Sequence, residues 1–157
     1  LKKTGILFPK GLRYEDIEFT YKLIPHLNKI SFVKDYLVHY MQRNTSIANT
    51  QNERTAEIFT VFDNIIKYYK ENGLYEKYKN ELEYSYTRIL LCSSLKRMTH
   101  IQDKKTRKDL IEKTWNNLNT KFPNWKKNNY LKERKTLKNL YMKSINEFTY
   151  KIYTKII

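Results

Sequence analysis

The chain has 157 residues, 40% of them hydrophobic, including two Trp, fourteen Tyr and seven Phe. That is enough to bury a core and too apolar for wholesale disorder. Three Gly and three Pro disfavour Gly-rich phosphate loops and β-folds dense in tight turns. Lys and Arg outnumber Asp and Glu by 31 to 16, for a net charge of +15. The last third, residues 101–157, holds fifteen basic and five acidic side chains, so an anionic partner or a solvated Lys-rich face is expected there. A single cysteine, Cys92, excludes an intramolecular disulfide and fits a reducing compartment. It lies in the apolar run Ile89-Leu90-Leu91-Cys92, where a small hydrophobe is the simpler reading than a nucleophile. No apolar run approaches the roughly 20 residues that cross a bilayer, and the expected location is cytoplasmic.

Residues 1–13 read as loop and extended chain, punctuated by Pro9 and Gly11. The first residue is Leu1 rather than Met, in what reads as the approach to a strand, so a piece of a longer protein is expected. A helix should start near Glu15 and Asp16, whose charge suits a first turn. It would present Ile17, Tyr21 and Ile24 and end near Pro25. Residues 30–42 place Ile30, Phe32, Tyr36, Val38 and Tyr40 at alternate positions, predicting one broken strand or two short ones. Asn44-Thr45-Ser46 then signals a loop.

From residue 53 the period becomes 3.6. Ile58, Phe62, Ile65 and Tyr69 share a face, with Gly73 at the expected C-terminal cap. A second helix should run over 75–99 with Tyr78, Leu82, Tyr86 and Ile89 inward. A third should run from about Asp103 to before Pro123, burying Leu110, Trp115 and Leu118. The last is expected from about Leu131 to the end, with Leu137, Tyr141, Ile145, Phe148, Ile152 and Ile156 on one stripe. These patterns predict a mainly α chain, with a bundle of about four long helices after residue 50.

The chemistry-bearing stretch is Phe8-Pro9-Lys10-Gly11-Leu12-Arg13-Tyr14-Glu15-Asp16-Ile17-Glu18-Phe19. A Gly-containing turn delivers two adjacent carboxylates to a helix start, where backbone amides can orient an ionised acid. An oriented Asp at a cleft rim is a general base. Taken alone, the pattern better suits plain helix capping by Asp16 or Glu15. Neighbouring residues cannot flank one glycosidic bond at the roughly 5–9 Å of glycoside hydrolysis.

This string resembles the Glu-Asp motif segment of bacterial family 2 glycosyltransferases with the GT-A fold, of the capsule, exopolysaccharide and teichoic-acid kind. The resemblance implies that Asp16 is the catalytic base and that Glu15 supports its geometry. Downstream, Tyr36-Leu37-Val38-His39-Tyr40-Met41-Gln42-Arg43-Asn44-Thr45-Ser46 is similar to the segment ending in a donor-diphosphate loop. That implies diphosphate contacts for Arg43 and Ser46, with His39 preceding them as a further candidate. It also implies residues 1–50 as the C-terminal, partly β piece of a GT-A catalytic domain and residues 51–157 as a helical C-terminal domain with a basic amphipathic tail. The activity implied for the full-length enzyme is inverting transfer from a nucleotide sugar, with Mn²⁺ or Mg²⁺, to a cell-envelope glycan or lipid-linked acceptor. The Asp-x-Asp motif that ligates that metal is absent from the sequence. No metal ligand is therefore assigned, no cofactor is expected to bind this chain tightly, and the chain alone is expected to be inactive.

The final helix joins its apolar stripe to Lys135, Lys138, Lys143 and Lys151, after Trp125-Lys126-Lys127-Asn128-Asn129-Tyr130. It suits either packing on the preceding helices or lying on an anionic membrane surface, the inner face of the plasma membrane. No nucleic-acid recognition signature is present. The competing reading is a basic helical module for nucleic acid or a protein partner, and self-association into a homo-oligomer is left open. His26 and His100 have no evident partner in the sequence.

Overall fold

The computed structural model describes residues 4–39, 41 and 50–156. Among them the chain is mainly helical: α1 (Glu15–Leu23), α2 (Glu57–Glu71), α3 (Tyr75–Arg88), α4 (Leu95–Thr99), α5 (Lys104–Lys121), α6 (Asn129–Glu133), α7 (Leu137–Ser144) and α8 (Glu147–Ile156). Short 3₁₀ turns follow α1 at Ile24–His26, precede α2 at Glu53–Ala56 and precede α6 at Trp125–Lys127.

α2 forms as its period predicts. Ile58, Phe62 and Ile65 are fully buried and Tyr69 nearly so. The helix stops at Gly73, whose φ of 67° suits a residue without Cβ. The amides of Gly73 and Leu74 then reach back to the carbonyls of Lys70 (3.2 Å) and Tyr69 (2.8 Å), satisfying the last turn of the helix. α5 is capped at its start by Asp103, whose carboxylate accepts the Thr106 amide at 2.6 Å. The core gathers Phe62, Tyr86 and Phe122, with ring centroids 4.8 and 5.4 Å apart in edge-to-face pairs. Leu90, Leu95, Met98, Leu118 and Trp125 complete it.

Between α3 and α4 the helix widens into a π turn over Ile89–Ser94, where the Leu95 amide reaches the Leu90 carbonyl five residues back. The uninterrupted helix expected over 75–99 is corrected accordingly. The extra residue resets the register, so Leu91, Leu95 and Met98 are buried together with Leu82 and Tyr86. Ile89, expected inward, is only half-buried.

Two further expectations change. Residues 30–39 form neither strand nor helix, and Ile30, Phe32, Tyr36 and Val38 are exposed, Phe32 at 94%. Alternation alone made no strand because no second strand pairs with it among the described residues. The single C-terminal helix is three. Arg134 is extended, Thr136 opens α7 by accepting the Asn139 amide at 3.2 Å, and Asn146 and Thr149 cap α8 reciprocally at 2.8–3.0 Å. Each break rotates the following face. Met142, Ile145 and Tyr150 are therefore buried, whereas Leu137, Phe148 and Ile156 are 85%, 73% and 74% exposed.

The C-terminal segment is held by polar groups as well as by apolar ones. Buried Asn128 donates to the Asn80 carbonyl and Glu83 of α3, each at 2.9 Å. Buried Asn139 donates to the Tyr130 and Leu131 carbonyls and accepts the Tyr84 hydroxyl. Such satisfied networks fix one arrangement of the helices. Ile17 and Tyr21 of α1 pack on the core formed by α2 to α8, and the Tyr69 hydroxyl donates to the Tyr21 carbonyl at 2.8 Å.

Candidate functional site

The Glu-Asp segment is a pinned turn. Gly11 and Tyr14 both take left-handed backbone conformations, at φ 77° and 67°. For tyrosine that conformation costs roughly 1 kcal/mol or more and persists only where the surroundings hold it. Those surroundings are visible. Arg54 donates to the Gly11 carbonyl at 2.9 Å and to Glu57 at 2.6 Å. Glu57 in turn accepts the Arg13 amide, and the buried Arg13 guanidinium reaches Thr55 at 3.3 Å and the Thr50 carbonyl. The hydrogen bond from Arg54, helped by the Arg13 amide, holds the Glu57 carboxyl below its ordinary range.

Tyr14 is the residue before α1, and its carbonyl accepts the Ile17 and Glu18 amides at 3.1 and 3.2 Å. Helix geometry then sorts the three acids that follow. Glu18 turns inward, 3% exposed, and bonds Lys22 at 2.6 Å and Asn64 at 2.9 Å. Glu15 and Asp16 stay exposed. Asp16 Oδ1 accepts the Ile17 amide at 2.9 Å. Tyr14, rather than Glu15 or Asp16, occupies the cap position. Phe8 and Phe19, the two aromatic ends of the motif, stack with centroids 4.0 Å apart.

Glu15 and Asp16 thus stand as exposed neighbours in the first turn of α1. Arg43 and Ser46 lie outside the described residues. His39 is exposed in the unpaired segment. Among the described residues no group of three or more His, Cys, Asp or Glu side chains comes together to hold a metal ion. Cys92 is half-buried, and burial pushes its thiol up from the ordinary range, which suits a packing role. His26 meets the Tyr68 hydroxyl at 2.8 Å and His100 meets the Lys96 carbonyl at 2.7 Å, so both gain partners that the sequence did not reveal.

Sequence reasoning missed the residues that hold the turn: Arg13, Arg54, Glu57 and inward-facing Glu18. The separation along the chain, more than 40 residues between Arg13 and either Thr55 or Glu57, leaves no periodic signal. The described helices include none long and apolar enough to cross a membrane. Comparison of the chain with protein-family models, with curated proteins and with solved structures finds no match.

Proposed function

We propose that this chain is part of a family 2-like glycosyltransferase in which Asp16 activates the acceptor. The observation that supports this reading is the outward pair Glu15–Asp16 at the start of α1, presented by the left-handed Tyr14 turn. A turn held in a costly conformation by Arg54, Glu57 and Arg13 presents the carboxylate on a rigid base, as proton abstraction requires. In the reaction, Asp16 takes the proton of a sugar or lipid-linked glycan hydroxyl. The oxygen attacks the anomeric carbon of a nucleotide sugar, and nucleoside diphosphate leaves from the opposite face. Glu15 orients the acceptor or the loop. Arg43 and Ser46 contact the leaving diphosphate, as does His39 where the extended segment folds over it. The donor-binding half lies outside this chain in this reading.

A lipid-linked acceptor places the work at a membrane surface, and α8 fits that setting. Phe148, Ile152 and Ile156 repeat at four-residue spacing on its exposed side, next to exposed Lys151 and Lys155. Apolar contact with the acyl boundary and cations against anionic headgroups then act together.

Sugar transfer by the full-length gene product, compared with its Asp16→Asn variant, tests the base. The expected loss in kcat is about 10²- to 10⁴-fold with the fold unchanged by circular dichroism. Undiminished transfer sinks the assignment.

A further inference from the structure

Among the described residues, one cleft on the basic surface is lined by Lys96, Arg97 and His100. It is open, about 860 Å³ in volume, and lies between Thr50-Gln51 and the π turn with α4, with Ser93 and Gln102 also lining it. No carboxylate among the described residues lines it. Among the described residues, no carboxylate lies within ion-pair distance of Lys96 or Arg97, whereas Lys22, Arg54 and Lys121 each hold one.

Arg97 is half-buried, and its guanidinium sits 5.7 Å from the centre of the Tyr14 ring. That contact is with a π face, and among the described residues no protein acceptor takes an N–H from this guanidinium. A partly desolvated cation whose donors are uncommitted favours an anion. His100 is set by the Lys96 carbonyl at 2.7 Å from Nδ1. A carbonyl only accepts, so the Nδ1–H donates to it. The π turn is what makes the recess. By resetting the register it keeps Leu91, Leu95 and Met98 in the core and leaves Ser93, Lys96, Arg97 and His100 on the cleft side. Such turns recur at functional sites.

We infer that this cleft binds a phosphoryl group, carried by a phosphate ester or a diphosphate. A tetrahedral group with more than one negative charge can meet the Lys96 ammonium and the Arg97 fork from different sides. Ser93 and Gln102 supply neutral donors, and the volume leaves room for the organic remainder. The inference stands apart from the role of Asp16 and survives its failure. Soluble esters and lipid headgroups both carry this chemistry.

Calorimetric titration of the chain with inorganic pyrophosphate at about 0.15 M salt tests it. One ligand per chain is expected. Lys96→Gln with Arg97→Gln should weaken binding about tenfold or more. Lys132→Gln with Lys135→Gln removes the same charge outside the cleft and should change binding less than about twofold. Because Arg97 also packs on Tyr14, the exposed Lys96→Gln single variant, checked for an unchanged melt, should still lose several-fold. Equal weakening by both pairs, or no saturable binding by the wild type, overturns the site. Flotation with phosphatidic-acid vesicles separates the sources. Capture that pyrophosphate and the Lys96/Arg97 pair both abolish assigns a headgroup. Saturable pyrophosphate binding, with capture indifferent to that pair, assigns a soluble phosphate.

Discussion

Helices α2 and α8 begin alike and end differently. Both start with Glu and both repeat large apolar residues at helical spacing. In α2 the stripe Ile58, Phe62, Ile65 and Tyr69 is at most 4% exposed. In α8 the stripe Phe148, Ile152 and Ile156 is 40–74% exposed, and Tyr150 on another face is the buried residue. Periodicity thus declares that a face exists without declaring what covers it. The cover of α2 comes from α1, α3 and the segment leading to α6. The orientation of α8 is set by Asn146 and Thr149, whose cap turns the stripe outward.

The largest expected effect falls on α2. Phe62→Ala removes a ring packed edge-to-face against Tyr86 and near Tyr21, and should cost about 3–5 kcal/mol in denaturant unfolding. A cost under about 1 kcal/mol would mean the core rearranges freely, and the contrast with α8 would lose its meaning.

A middle-sized effect falls at the start of α2, where Glu57 ties the Arg13–Arg54 turn down. Its folded carboxyl titrates below its ordinary range because Arg54 hydrogen-bonds the charged form. The resulting stability is present above the unfolded value of about 4.3 and is lost as pH falls through the folded value. Glu57→Gln should therefore be less stable than the wild type near neutrality, with the gap closing in acid. A gap independent of pH in melts from neutrality down to about pH 3 would show that the turn is held without that charge.

The smallest stability effect belongs to α8. Phe148→Ser should change unfolding free energy by no more than about 0.5 kcal/mol, because the ring is already in solvent. Its effect should appear instead in flotation with anionic vesicles, where capture drops and added salt weakens what remains. Vesicle binding indifferent to Phe148, Ile152 and lipid charge would remove the membrane role and leave the exposed stripe without an occupant.

Much of the helical pattern was legible because it is local. The start of α1, the α2 stripe, Gly73 as its stop and Asp103 ahead of α5 depend on spacing and on groups a few residues apart. Helix boundaries past residue 129 were misread for the complementary reason. Thr136, Asn139, Asn146 and Thr149 fit a long helix tolerably, until their side chains bond backbone amides and carbonyls and break it. For the candidate site, the sequence located Glu15 and Asp16 but not which acid would turn inward. It also gave no sign that Arg97 would meet Tyr14 across more than 80 residues.

The amino-acid order by itself determined a basic, mainly helical chain, the places where most helices begin, and two adjacent carboxylates behind a glycine turn. Only the tertiary structure decided which apolar faces are covered, that the helix through Ile89–Ser94 widens, and that Lys96 and Arg97 line one cleft with no acidic partner among the described residues. The division has one physical cause. Helix formation and capping are settled by atoms within about four residues of one another. Burial is settled by whatever distant segment arrives, as where Tyr84 meets Asn139 and Arg97 meets Tyr14.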